Sequence, residues 1–412
     1  MTTMPIDTPP PPPGRDDSRR SDGAWRVFLI FLRLGLTSFG GPVAHLGYFR
    51  AEFVERRRWL DDRSYSDLVA LCQFLPGPAS SQVGMALGLR RAGWPGLLAA
   101  WSGFTLPSAL VLVLFAYGMA GYRDMAASGW VHGLKIVAVA VVAQAVWGMA
   151  RSLCPDRTRA GLAMLAALAT LAAPSAAGQV ATIAACGLLG RWLLDLPAPA
   201  PAPAHPYPIS PRAGVAALSL FALPLALLPA WAAASASALV AFFDGVYRAG
   251  ALVFGGGHVV LPLLQATVVP TGLVDNADFL AGYGAAQAVP GPLFTFAAYL
   301  GAVAQGPLHG WAGGLAALAA IFLPALLVLV GVLPFWERLR QRRDIQTALA
   351  GVNAGVVGIL LAALYDPVWT SAIQGRADFA LALAAFGLLV VGRVPPVAVV
   401  ALAALGGWLL AG

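Results

Sequence analysis

Charge is the scarcest property of this chain. Asp, Glu, Lys and Arg make up only 11% of its 412 residues, against about 25% in soluble globular domains. Residues 279–336 contain none of them, a run of 58. As helix, such a run could cross a ~30 Å hydrocarbon core more than twice. Further uncharged runs cover 92–122, 160–190, 213–243 and 249–274. A water-soluble fold is thereby excluded. So is a spanning β-barrel, whose strands would alternate over segments of ~10 residues. Cysteine is nearly absent as well. Cys72, Cys154 and Cys186 are too far apart for a disulfide framework or a zinc cluster and read as packed free thiols. Lysine occurs once, at Lys135, so the net charge of +7 is carried by arginine. In a membrane protein that charge belongs to cytoplasmic loops, and no nucleic-acid partner is expected. Residues 1–24 lack the apolar core of a signal peptide and hold Pro9–Pro13 with mixed charge, which reads as a disordered tail. No Ser-His-Asp set, paired catalytic carboxylates or metal-ligand spacing occurs, so neither an enzyme, a cofactor nor a metal is expected.

What is present is apolar and duplicated. The mean hydropathy is +0.75, and the fold class expected is all-α: a polytopic integral membrane protein in contact with the lipid bilayer. Arg33-Leu-Gly35 and Phe39-Gly40-Gly41 are answered by Arg248-Ala-Gly250 and Phe254-Gly255-Gly256, at an offset of 215. Gln73-Phe-Leu-Pro76-Gly77-Pro78 is answered by Gln287-Ala-Val-Pro290-Gly291-Pro292, at an offset of 214. Gly93-Trp94 and Pro107 match Gly310-Trp311 and Pro324 at 217, and Lys135 falls opposite Asn353 at 218. Ordered matches with slowly drifting offset indicate duplication. Between the halves, seven prolines in Pro197–Pro211 preclude helix and mark a linker. The organisation expected is a tail (1–24), an N-terminal repeat (25–196), a linker with one connecting transmembrane helix (197–235) and a C-terminal repeat (236–412).

Each repeat carries about six helical segments: 25–49, 64–90, 92–121, 129–151, 159–175 and 177–194, then 236–264, 277–305, 308–335, 344–365, 377–392 and 394–411. The extra helix, 213–232, makes the count odd, so the second repeat enters the membrane from the opposite side. Arg90/Arg91, Arg151/Arg157/Arg159, Arg191/Arg212 and Arg338/Arg340/Arg342/Arg343 then fall on one side, expected to be cytoplasmic. The arginine-rich loop at 50–63 and the acidic loop at 265–278 fit this scheme if the first two segments of each half dip in and return. Thirteen full crossings remain the alternative. Both are inverted repeats, a plan common among secondary transporters.

Several repeated features could carry chemistry. Pro-Gly-Pro inside an apolar segment breaks a helix. A broken helix at membrane depth lines a cavity or is buried in protein, and its half-helix N-terminus offers free N–H groups to an anion. A packing kink is the simpler reading. Gly40-Gly41 and Gly255-Gly256 allow close backbone approach, either for exposed amides or for helix packing. Arg33 and Arg248 are intramembrane cations whose guanidinium fork suits a tetrahedral oxyanion. Arg33 could instead snorkel, and Arg248 could pair with Asp244 one turn earlier. Lys135 and Asn353 add a cation and a polar group. The substrate-binding candidates are thus Arg33, Gly40, Gly41, Gln73, Pro76, Gly77, Pro78, Lys135, Arg248, Gly255, Gly256, Gln287, Pro290, Gly291, Pro292 and Asn353. His45, Glu52, Asp67 and His258 are the candidates for proton coupling.

The duplicated Phe-Gly-Gly and Gln-x-x-Pro-Gly-Pro, with Gly351-Val-Asn353-Ala-Gly-Val-Val-Gly before Tyr365-Asp366-Pro367, resemble the chromate ion transporter family in its long form with two homologous domains. The resemblance covers nearly all of 25–412. It implies a secondary transporter exporting chromate across the bacterial inner membrane and conferring chromate resistance, with antiparallel halves. Sulfate or another oxyanion is the alternative substrate, sharing charge and shape. A homodimer stays open. The family's usual Asn after the triplet is absent from both halves, so Ala79-Ser-Ser-Gln82 and Leu293-Phe-Thr-Phe296 receive no ligand role.

Overall fold

The computed structural model describes residues 23–39, 41–121, 129–196, 209–254, 260–339 and 341–410. Gly40, Gly255, Gly256 and His258, together with most of the tail and of the proline linker, lie outside these residues. All secondary structure among them is helical. In the first half the helices are α1 (Ala24–Thr37), α2 (Gly41–Arg50), α3 (Asp62–Phe74), α4 (Ala79–Gly121), α5 (Gly129–Leu153), α6 (Arg157–Ala172) and α7 (Ala176–Leu193). The connecting helix is α8 (Pro211–Ser235). The second half comprises α9 (Ala238–Leu252), α10 (Val260–Val268), α11 (Asn276–Ala288), α12 (Phe296–Val303), α13 (Gly310–Val332), the short α14 (Trp336–Leu339), α15 (Arg343–Ala363), the short α16 (Thr370–Ala372), α17 (Arg376–Val390) and α18 (Pro396–Leu410). Five segments, within α4, α5, α8, α13 and α15–α16, are long and apolar enough to span a membrane. The chain is a polytopic all-α membrane protein.

The first two segments of each repeat are not single helices. The segment at 25–49 splits into α1 and α2, and 236–264 into α9 and α10. The segment at 64–90 breaks at Pro76-Gly77-Pro78, and 277–305 at Pro290-Gly291-Pro292. The halves of these broken helices run from 8 residues in α12 to 15 in α9, about 12–23 Å at 1.5 Å per residue. None reaches across a ~30 Å core. The 43-residue α4 is itself bent at Ala92 and Gly93, where φ leaves the helical range, so a short return arm up to Arg91 precedes a full-length helix from Trp94. These lengths fit segments that dip in and return; thirteen straight crossings do not.

Local chemistry duplicates along with the sequence. Asp61 caps α3 by accepting from the Ser64 amide at 2.7 Å, and Asp275 caps α11 from the Asp278 amide at 2.8 Å. Such caps satisfy backbone donors that have no partner within the helix. A Cβ on Gly96 would stand 2.2 Å from the Gly88 carbonyl, and one on Gly313 would stand 2.2 Å from the Gly301 carbonyl, so the same close turn is built twice.

The equivalent long helices, α4 beyond its bend and α13, lie antiparallel through both cores. Leu97, Ala100 and Phe104 share one core with Val328–Leu333 and the hairpins of α1–α3. Ala109, Leu112 and Ala116 share the other with Ala317, Ile321, Phe322 and the hairpins of α9–α12. The end of α4 meets the start of α13, where the Trp311 amide donates to the Tyr117 hydroxyl at 3.3 Å. Each repeat's hairpins therefore occupy opposite ends of the molecule. The arginine-rich loops gather at one end: Arg191 pairs with Asp344 at 3.8 Å, Arg343 pairs with Asp195, and Arg91 lies 4.8 Å over Trp59.

Candidate functional site

The two Pro-Gly-Pro breaks interlock with the opposite repeat. The prolines flanking Gly77 carry no N–H, so Gly77 supplies the break's own amide. It donates to the Val253 carbonyl, at the end of α9, at 2.7 Å. Gly291 does the same to the Ser38 carbonyl, at the end of α1, at 3.0 Å. Ser38 and Val253 are equivalent positions at the offset of 215, so the contact is reciprocal. Each carbonyl ends a helix just before the glycine motif, and among the described residues its partner is the amide of the other repeat's break. Each break thus satisfies a backbone group that the other repeat leaves open, as a low-dielectric surrounding requires. Glycine is obligatory here. Gly77 and Gly291 have φ of +115° and +103°, and a Cβ would come within 2.8 Å of Ala325 Cβ and 2.9 Å of Ser108 Oγ respectively. Ala325 and Ser108 are themselves equivalent, at the offset of 217.

Beside the second interlock lies a cavity shared by the repeats. Gly41 and Pro42 at the start of α2, Val141 and Gln144 of α5, Gln287, Val289, Gly291 and Leu293 around the break, and Pro396 line it. Two helical beginnings reach this cavity: α2, and the turn Leu293–Thr295 that leads into α12. A helical beginning leaves backbone N–H groups without intrahelical partners and carries a positive dipole end, equivalent to about half a charge. Gln287 Nε2, buried in this wall, has no hydrogen-bond partner among the described residues.

The first break is the more polar of the two. Ser80, Ser81 and Gln82 open α4 directly after Pro78 and are almost wholly buried, as are Ser38, His45, Thr105 and Ser108. Gln82 Nε2 donates to the Pro76 carbonyl at 2.8 Å and to the Ala325 carbonyl at 3.3 Å. His45 Nδ1 lies 3.3 Å from Ser80 Oγ, and its ring stands edge-on to Phe104 at 5.2 Å. Ser38 Oγ, His45 Nε2, Ser81 Oγ, Gln82 Oε1 and Thr105 Oγ1 are buried without hydrogen-bond partners among the described residues. Clustered orphan polar atoms suit a polar ligand or water better than dry packing. The sequence reading gave Ser81 and Gln82 no ligand role, for want of the family's Asn, and did not single out Thr105 or Gln144. The available signal was the polar run Ser80-Ser81-Gln82 inside an apolar segment.

The three cations stand apart from the cavity. Arg33 is exposed on the face of α1 that carries Leu29 and Leu36, away from α4. Arg248 is half-buried and paired with Asp244, its Nε without a partner among the described residues. Lys135 is half-buried near the start of α5, where its charge acts on Asp278. Gln73 is exposed, whereas Asn353 is half-buried, its Oδ1 without a partner among the described residues. Among the proton candidates, Glu52 is clamped by Arg57 at 2.6 Å and Arg56 at 3.0 Å. Burial alone would raise its carboxyl, but those hydrogen bonds hold it below the ordinary range. Asp67 accepts from Trp336 Nε1 at 3.4 Å.

Broken-helix hairpins from two repeats around a shared cavity are a plan that recurs among transport proteins. The sequence profile of the chromate transporter family matches residues 25–191 and 240–408, one region per repeat. The chromate transport protein of Pseudomonas aeruginosa is 31% identical over 93% of this chain and 92% of its own length. That of Cupriavidus metallidurans is 26% identical over 82% and 81%, and the probable chromate transport protein of Synechococcus elongatus is 25% identical over 81% and 82%. No solved structure matches the chain. The chain belongs to the chromate transporter family: a transport protein rather than an enzyme, and a multi-pass protein of the bacterial inner membrane.

Proposed function

We propose that the chain is a secondary transporter that exports chromate from the cytoplasm and so confers chromate resistance, with residues 25–196 and 236–412 acting as inverted repeats. The observation that carries this reading is the reciprocal interlock of Gly77 with Val253 and of Gly291 with Ser38, beside a cavity reached by two helical beginnings. A dianion leaving water must exchange hydration for fixed donors. The amides at Gly41 and Leu293, the Gln287 and Gln144 side chains, and on the other side the Ser81 hydroxyl, are such donors. Two helix N-termini supply about one charge together, half of what a dianion needs. Arg33 and Arg248 lie five residues, about 7.5 Å of helix, from Ser38 and Val253. They would supply the remainder when the hairpins shift in the transport cycle, Arg248 by exchanging Asp244 for substrate. Export of a dianion runs with an inside-negative potential, gaining about 2.3 kcal/mol per charge per 100 mV.

The test is chromate accumulation in whole cells with and without expression, repeated for Arg33→Ala, Arg248→Ala and Lys135→Ala at verified membrane levels. Export predicts lower accumulation with the wild-type chain. Loss of that effect in a substrate-contacting variant should correspond to a few kcal/mol of binding, with Arg→Lys restoring only part. Higher accumulation on expression would refute the direction, and wild-type transport in all three variants would refute the cationic contribution. Competition by sulfate measures how far charge and shape alone set selectivity.

A further inference from the structure

A second cavity, of about 310 Å³, lies away from the interlock between the two repeats. Thr170 and Gln179 line it from α6 and α7, and Gln265, Asn276 and Asp366 from the second repeat. The loops it joins, at 173–175, 269–275 and 366–367, belong to the end opposite the paired arginine-rich loops at 191–195 and 342–344. Its polar atoms are oriented by their own hydrogen bonds. Asn276 Nδ2 donates to Ser371 Oγ at 2.9 Å, and Asn276 Oδ1 accepts from Gln265 Nε2. Gln179 Nε2 is turned to the Pro262 carbonyl at 3.5 Å, and Thr170 Oγ1 donates to the Ala166 carbonyl at 2.8 Å. Each of these amide nitrogens thus spends one N–H on the protein, whereas two of the amide oxygens spend none. Gln179 and Gln265 are 5% and 7% exposed, and the Oε1 of each is buried without a partner among the described residues. Asp366 places one carboxylate among these residues, and no Lys, Arg or His lines the cavity.

We infer that this cavity binds a monovalent alkali cation, Na⁺ in the first instance, entering from the end opposite the arginine-rich loops. Neutral carbonyl oxygens with one carboxylate form a hard donor set whose charge balances one positive unit. No group of three Asp, Glu, His or Cys that could hold a multivalent ion occurs among the described residues. An anion would meet the Asp366 carboxylate with no cation to offset it. Liquid water occupies about 30 Å³ per molecule, so the volume accommodates an ion with part of its hydration shell. The duplication supplies an internal comparison. The positions equivalent to Gln265 and Asn276 are Arg50 and Asp62, at offsets of 215 and 214, and they form an ion pair at 2.7 Å. The first repeat thus carries a built-in cation where the second presents neutral oxygens.

The test uses the purified full chain in nanodiscs without any oxyanion, so it is independent of the transport reading. Melting temperature is followed against NaCl, with choline chloride holding ionic strength constant. The expected result is a saturable rise with Na⁺ that choline does not reproduce. Asp366→Asn, at an exposed position, should weaken the Na⁺ midpoint by roughly tenfold or more, because affinity follows ligand charge. Gln265→Glu should tighten it. Equal stabilisation by choline overturns the proposal. So does a Na⁺ midpoint unchanged in both variants, including the case where either variant melts lower in choline alone.

Discussion

At the scale of single residues, the two break glycines are the most constrained positions in the molecule. Left-handed backbone costs an L-residue roughly 1–2 kcal/mol, and at Gly77 and Gly291 a Cβ would also collide with the opposite repeat. Gly77→Ala and Gly291→Ala should therefore each lower the melting temperature and abolish transport. Gly93→Ala is the control, because Gly93 also has positive φ, at +63°, but its nearest neighbour would be Pro95 Cδ at 4.0 Å. It should pay the strain alone and retain transport; equal loss in all three would show that the interlock contributes nothing. A second residue-scale prediction concerns Glu52, whose carboxyl Arg57 and Arg56 hold below the ordinary range against the effect of burial. A depressed folded value contributes stability that is present above the unfolded value, about 4.3, and lost as pH falls through the folded one. Wild type should melt above Glu52→Gln by the equivalent of about 1–2 kcal/mol at neutral pH. The gap should close only below pH ~4. A gap independent of pH would show that the ion cluster is not its cause.

At the scale of elements, hydropathy alone merged what the backbone divides. The segments 25–49 and 236–264 are each continuously apolar enough to read as one helix. Their division into α1–α2 and α9–α10 at the glycine motifs follows from glycine's low helix propensity and from the carbonyls of Ser38 and Val253 being engaged elsewhere. The breaks at Pro-Gly-Pro were legible, because two prolines leave no alternative. The antiparallel contact of α4 with α13 is testable by crosslinking. In a chain with Cys72, Cys154 and Cys186 replaced, Tyr117→Cys with Trp311→Cys should join through a short bifunctional thiol reagent, since the native rings lie 6.1 Å apart. Tyr117→Cys with Leu333→Cys, at the far end of α13, should not. The reverse pattern would mean parallel repeats.

At the scale of the whole molecule, inversion makes a directional prediction. Thiol labelling in intact cells should reach Asp124→Cys, between α4 and α5, from outside. It should reach Gln341→Cys, beside the basic loop before α15, only after the membrane is opened. Equal access to both would rule out the proposed orientation. The sequence by itself determined the membrane class, through charge depletion over runs longer than a bilayer. It also determined the duplication, through matched motifs, which one family match per repeat bears out. Those properties depend on composition and order along the chain, which need no partner to be read. Only the tertiary structure decided that the breaks bind each other's repeat across residue separations of 176 and 253 (253 − 77 and 291 − 38). Likewise, it alone set Arg33 on an exposed face and Arg248 against Asp244, and gathered Ser81, Gln82, Thr105 and His45 into one buried polar neighbourhood. Which way a side chain faces, and which orphan group it meets, depends on helices packed from distant parts of the chain. A one-dimensional pattern carries no record of that packing.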